Sequence, residues 1–160
     1  MTNKIGELEA FVADKSFETW FLNYAGPVCS EFLKELRDNK RILGIRCPQC
    51  NRILVPARPT CAMCFRKTVG WKEVSKTGTL ITYTTVCQPL PYEQMELPII
   101  YGIILLDGAD TGLLHLLGEV DPKNLNIGMR VQAVFKEERN GDIRDIKYFR
   151  PIRTPQELKL

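Results

Sequence analysis

Residues 46–64 read RCPQCNRILVPARPTCAMC and contain two Cys-x2-Cys pairs, Cys47 with Cys50 and Cys61 with Cys64, ten residues apart. A Cys-x2-Cys turn puts two sulfurs on one side of a tight loop. Two such loops facing each other complete a tetrahedral four-thiolate site, the environment Zn2+ prefers. Pro48 stiffens the first turn, and Asn51 follows it, a residue type that tolerates positive φ. The intervening RILVPARPT alternates apolar and polar residues and carries Pro56 and Pro59, as a short ribbon would. With four protein ligands the site is closed to substrate or activated water, so its expected role is structural. Iron fits the same four sulfurs, and a disulfide or thiol-redox role is the other reading of paired cysteines.

Working outward, charge is distributed unevenly. The formal net charge is only +3. Residues 34–72, however, hold ten Lys/Arg against Glu35 and Asp38, whereas residues 73–138 hold four Lys/Arg against nine acids. A cationic module is thus attached to a mildly acidic body, suited to phosphates of a nucleotide ligand, to nucleic acid or to an acidic protein. Upstream, Val28, Cys29, Phe32, Leu33 and Leu36 form one helical stripe from about Pro27 to Asn39. Residues 1–25 carry a second helical pattern through Leu8, Phe11, Val12, Phe17, Trp20, Phe21 and Tyr24, an aromatic arm expected to pack on the body or on another chain.

Downstream the period changes. Ile42–Ile45, Trp71–Val74, Thr79–Gln88, Ile99–Leu106, Leu113–Val120, Met129–Glu137 and Ile143–Phe149 read as strands. Thr77-Gly78 reads as a turn or bulge, Asp121–Gly128 as a loop with a helical turn, and Asn140-Gly141 as a hairpin signal. About five strands over about 80 residues with regular turns predict a small closed barrel, for which the OB-fold is the natural candidate. The expected class is mainly β with N-terminal helices: a rubredoxin-like zinc ribbon followed by a five-stranded OB-fold barrel. The expected divisions are 1–40 (helical), 41–70 (ribbon), 71–152 (barrel) and 153–160 (tail).

The order of parts resembles a known family. A helix ending in Arg41-Ile42-Leu43-Gly44 leads to two zinc knuckles and Trp71. Gly78-Thr79-Leu80, Tyr83-Thr84, Pro98, Asp121-Pro122, Ile127-Gly128-Met129-Arg130-Val131 and Phe149-Arg150-Pro151 follow. This set, over residues 28–152, resembles the zinc-ribbon/OB-fold proteins associated with acyl-CoA metabolism. That family includes the small subunit of a benzoylsuccinyl-CoA-type thiolase in anaerobic aromatic degradation. The resemblance implies a non-catalytic accessory subunit, assembled with a thiolase-superfamily protein in a hetero-oligomer and helping to bind or channel acyl-CoA. Phe65 departs from it, standing where a second knuckle often has glycine.

The residues add limits of their own. The chain shows no hydrolase elbow, phosphate loop, helical zinc-protease motif or paired-glycine nucleotide fingerprint. His115 is the sole histidine, and a Cys87–His115 pair is the one nucleophile arrangement available to it. A strand histidine with a satisfied hydrogen bond is the plainer reading, and Cys29 and Cys87 are expected as small core residues. For CoA phosphates the candidates are Arg46, Arg52, Arg58, Arg66 and Lys67, because guanidinium groups bind phosphate bidentately. Tyr92 and Met95, in the Pro89–Pro98 loop, are candidates to cover an acyl or pantetheine portion. The alternative is a single-strand nucleic-acid module, which the barrel's acidic balance opposes. A rubredoxin-like electron carrier is the third reading. No apolar run reaches the roughly 18 residues of a membrane span, no signal core marks export, and free Cys-x2-Cys pairs point to the cytosol.

Overall fold

The computed structural model describes residues 24–88 and 97–152. The helical reading of residues 1–23, Tyr92 and Met95 with most of their loop, and the 153–160 tail lie outside them. Helix α1, Gly26–Asn39, opens with Pro27 in its first turn, where a missing N–H costs nothing. It ends at Lys40 in the left-handed conformation, with the Lys40 N–H on the Glu35 carbonyl. Its stripe buries Phe32 and Leu36, one turn apart, against the start of the ribbon.

Eight strands follow among the described residues: β1 Ile42–Arg46, β2 Ile53–Leu54, β3 Trp71–Val74, β4 Thr77–Val86, β5 Ile99–Leu106, β6 Leu113–Leu117, β7 Arg130–Phe135 and β8 Ile146–Pro151. The first three form a sheet in the order β2-β1-β3, and the other five close a barrel in the order β4-β5-β6-β8-β7. Closure removes the edges that an open five-strand sheet would expose. At the start of the segment expected to be barrel, 71–152, strand β3 pairs with β1. Trp71 pairs with Ile45 and Val74 with Ile42, and the barrel's own pairing begins at Thr77.

Other differences from the expected strands have local causes. Thr77-Gly78 lies inside β4, and the irregularity comes between Leu80 and Thr82. Gly78 is needed for close approach instead, since a Cβ there would stand 2.5 Å from the Leu105 carbonyl oxygen. Strand β6 stops at Leu117, and two residues on, the backbone turns left-handed at Glu119, φ +54°. Gly118 between them lies beneath the Tyr148 ring, where a Cβ would be 2.6 Å from it. Asn140-Gly141 makes no two-residue hairpin. The buried Asp145 carboxylate accepts from the backbone N–H groups of Asn140, Gly141 and Asp142, drawing 140–145 into a wider loop that ends in a 3-10 turn. Cys29 is half-buried, but Cys87 is exposed beyond the end of β4 and is no core residue.

Ribbon and barrel share one hydrophobic core. It runs from Phe32 and Leu36 through Ile42, Ile45, Ile53 and Val55 to Leu80, Ile104, Leu106, Val131 and Phe149. Hydrogen bonds join the two parts at the β5–β6 turn. The Asp110 carboxylate accepts from Ile53 N–H at 2.8 Å, and the Asp110 N–H donates to the Ile53 carbonyl at 2.9 Å. The Thr111 hydroxyl accepts from Val55 N–H at 2.7 Å and donates to the Val55 carbonyl at 2.9 Å. The turn therefore satisfies backbone groups along β2 and just beyond it that no neighbouring strand covers. Nearby, Asp107 takes Arg130 as a bidentate partner and Thr77 as a third donor. That clamp on the Arg130 guanidinium holds the Asp107 carboxyl down at about 2.

Candidate metal centre

Each half of the centre is built by the same backbone device. The Cys47 N–H donates to the Arg52 carbonyl and the Asn51 N–H to the Cys47 carbonyl, both at 2.9 Å. In the second knuckle, Cys61 N–H donates to Arg66 and Phe65 N–H to Cys61, again at 2.9 Å. To turn this tightly, the residue after each pair goes left-handed: Asn51 has φ +63° and Phe65 +54°. Asn51 meets that demand at little cost, whereas Phe65 carries a Cβ penalty of about 1–2 kcal/mol. Phe65→Gly is therefore expected to stabilise the chain toward denaturant by about 1 kcal/mol or less, net of the entropy glycine adds to the unfolded state. Asn51→Gly is expected to change it by a few tenths at most. Paired urea titrations check the contrast, and equal effects would mean that left-handed strain is not the cause.

The four sulfurs all lie within 4.8 Å of one another, and Cys50 Sγ and Cys61 Sγ are 3.7 Å apart. Tetrahedral coordination at a Zn–S length of about 2.3 Å puts sulfurs about 3.8 Å apart, whereas a disulfide needs about 2.05 Å. The cluster therefore has the spacing of metal ligands. Cys47 and Cys61 are fully buried and Cys50 and Cys64 partly so, with no further position for water or substrate. Backbone N–H donation from Cys50 draws the Cys47 thiol down to about 7. The hydrogen bond shared with Cys50 and the loss of hydration push Cys64 up to about 12. A divalent metal replaces the thiol protons by balancing the thiolates directly. The four cysteines form a zinc-binding site whose closed geometry suits a structural ion.

The remaining candidates are distributed differently. Arg46, Arg52, Arg58, Arg66 and Lys67 are all exposed on the ribbon. Arg52 and Arg66 hold equivalent places in the two knuckles through their carbonyls, and Arg46 reaches back to the Asn51 side chain at 3.0 Å. His115 faces the core, with its ring edge-on to Phe149 at 5.6 Å. Its Nδ1 accepts from Leu116 N–H at 2.9 Å, which leaves the proton on Nε2 to donate to the Ile143 carbonyl at 3.2 Å. Both ring nitrogens are satisfied by backbone, and β5 separates β6 from β4, so His115 and Cys87 form no pair. Burial, as the larger influence, pulls the His115 imidazole below its ordinary 6.5 despite the carbonyl at Ile143. The unfolded chain then binds the proton first, so stability falls as the pH drops below 6.5. His115→Gln is expected to flatten that part of a melting-temperature profile; an unchanged slope would assign it to carboxylates instead.

The residues that sequence reasoning missed are Asp110 and Thr111, which tie ribbon to barrel. Their only signal was a polar Asp-Thr pair in a turn, which turns commonly contain. Equally unannounced is a cavity of about 380 Å3 on the barrel between β5, β6 and β8.

Against known proteins, a family model described as the ChsH2 rubredoxin-like zinc ribbon domain matches residues 35–70. A second, described as the ChsH2 C-terminal OB-fold domain, matches residues 71–136. The chain is 31% identical over 129 residues to a DUF35 domain-containing scaffold protein of Methanocaldococcus jannaschii, covering 74% of this chain and 87% of that one. It is 26% identical over 113 residues to a scaffold protein of the same description from Pyrococcus furiosus, covering 71% and 82%. Among solved structures it is similar to a Ltp2-ChsH2(DUF35) aldolase, with a TM-score of 0.57 and 25% identity over 76% of this chain and 93% of the other. A DUF35-family structure from Sulfolobus solfataricus has the same fold, with a TM-score of 0.57 and 23% identity over 79% and 84%.

Proposed function

This chain belongs to the DUF35 family of ChsH2-like zinc-ribbon and OB-fold proteins, and on that footing we propose that it is an accessory scaffold subunit. Its partner in the hetero-oligomer is a catalytic protein of the thiolase superfamily, and the pair handles an acyl-CoA. The single observation that carries this reading is the 31% identity to a scaffold protein across 87% of that protein's length. The similar solved structure of an Ltp2-ChsH2(DUF35) aldolase supports a catalytic partner. The closed cysteine site is compatible with a supporting role, since it leaves a metal no open coordination position.

Within that reading, zinc holds the ribbon rigid, and the ribbon's exposed cations Arg46, Arg52, Arg58, Arg66 and Lys67 meet the phosphates of CoA. Tyr92, outside the described residues, is the candidate to contact the acyl or pantetheine portion. The reduced cysteines suit the cytoplasm. The class of acyl group, including any part in anaerobic aromatic degradation, belongs to the partner's chemistry.

The test is recovery of the native protein at low and high salt, with mass spectrometry of whatever accompanies it. A stoichiometric thiolase-superfamily chain retained at high salt is the expected result. Nucleic acid or ribosomal protein lost on adding salt would overturn the reading and make the ribbon a phosphate-backbone binder.

A further inference from the structure

The barrel cavity of about 380 Å3 has an apolar floor that includes Ile99, Leu116 and Leu117. Three cations, Lys136, Arg144 and Lys147, stand at its wall. That volume lies within the usual range of small-molecule sites, about 300–1,000 Å3. Of the three, Lys136 comes from the end of the acidic stretch 73–138, and Arg144 and Lys147 come from the segment just after it. Arg144 is committed in part to Asp142, at 2.9 Å. Neither Lys136 nor Lys147 forms an ion pair among the described residues. The Lys147 ammonium lies over the neighbouring Tyr148 ring at 5.4 Å. Glu138, Asp142 and Asp145 line the adjoining polar cleft, which Lys136 and Arg144 also border. There the Asp145 carboxylate is already taken by backbone N–H groups.

We propose that this cavity binds an organic carboxylate with an apolar body, an acyl or aryl acid, whose head group sits against Lys136, Arg144 and Lys147. An apolar floor beside two ammonium groups that form no ion pair among the described residues matches a ligand with one greasy end and one anionic end. A thioester carbonyl brings no negative charge to the three cations, so the site takes a free acid rather than the acyl end of a CoA ester. The site is also distinct from the ribbon cations. Ile99 and Leu106 are at opposite ends of β5, about 23 Å apart at the usual rise per residue. The cavity takes the Ile99 end, and the ribbon docks on the turn beyond Leu106. The proposal does not depend on the accessory-subunit reading, whose test is partner recovery.

Isothermal titration of the zinc-loaded full chain with octanoate tests it, with octanamide and inorganic phosphate as comparisons. Octanoate is expected to bind saturably at one site. Its neutral amide and phosphate are each expected to bind at least tenfold more weakly, since each lacks one half of the recognition. Lys136→Glu with Lys147→Glu is expected to weaken octanoate at least tenfold, and the milder Lys136→Gln with Lys147→Gln severalfold, with near-ultraviolet circular dichroism confirming the fold. Arg52→Glu with Arg66→Glu, on the ribbon, is expected to leave octanoate unaffected. Absence of saturable octanoate binding overturns the proposal. So does equal binding of octanamide or phosphate, or an equal loss from the ribbon pair.

Discussion

Cys61→Ser is expected to lose stoichiometric zinc and to unfold the ribbon, with the largest stability loss of any single substitution in the chain. Cys61 is fully buried, and its backbone N–H and carbonyl both belong to the second knuckle's turn. A serine oxygen cannot replace a thiolate toward zinc at neutral pH. Four-thiolate zinc sites contribute about 10–16 kcal/mol of apparent binding free energy, against about 5–15 kcal/mol for the stability of a whole domain. The damage should not stop at the ribbon, because Cys61, Ile53 and Val55 share a core with Leu106 and Leu113 of the barrel. Metal analysis with thermal melting checks this, and chelation of the native chain should reproduce the variant. A Cys61→Ser protein that keeps one zinc per chain and its native melting temperature would make the centre dispensable.

The second large effect is expected from Asp110→Ala combined with Thr111→Val, which leaves every zinc ligand in place. Three hydrogen bonds from side chains of the barrel turn to the ribbon disappear. The Ile53 and Val55 N–H groups and the Val55 carbonyl lose partners in residues that are 3% and 1% exposed. Leaving a buried polar group unsatisfied costs about 1–3 kcal/mol, so the double variant should lose at least about 3 kcal/mol. Zinc content should stay at one per chain, which separates this loss from that of Cys61→Ser. Asp110→Asn keeps an acceptor for Ile53 N–H and should retain most of the stability. A double variant within about 1 kcal/mol of native in a urea titration would show that the shared apolar core alone joins the two parts.

The sequence by itself determined the cysteine site, because the spacing of two Cys-x2-Cys turns constrains sulfur positions locally, whatever surrounds them. It also determined the α1 stripe and most barrel strands, since burial on one face imposes a period readable within a few residues. Asn51 was marked for positive φ by the same local logic, and Phe65 only as a departure from the family's glycine; both are left-handed. Only the tertiary structure decided where Trp71–Val74 belongs, because a strand's partner depends on which edge reaches it first. Here that edge is β1 rather than the barrel. The same holds for Asp110 and Thr111, whose partners lie more than fifty positions away in sequence. It holds too for Lys136, Arg144 and Lys147, which meet at one cavity only because β7 and β8 pair and β8 closes on β6. Hydrophobic period and turn chemistry act over a few residues, whereas sites assembled across a closed barrel depend on register between strands distant in the chain.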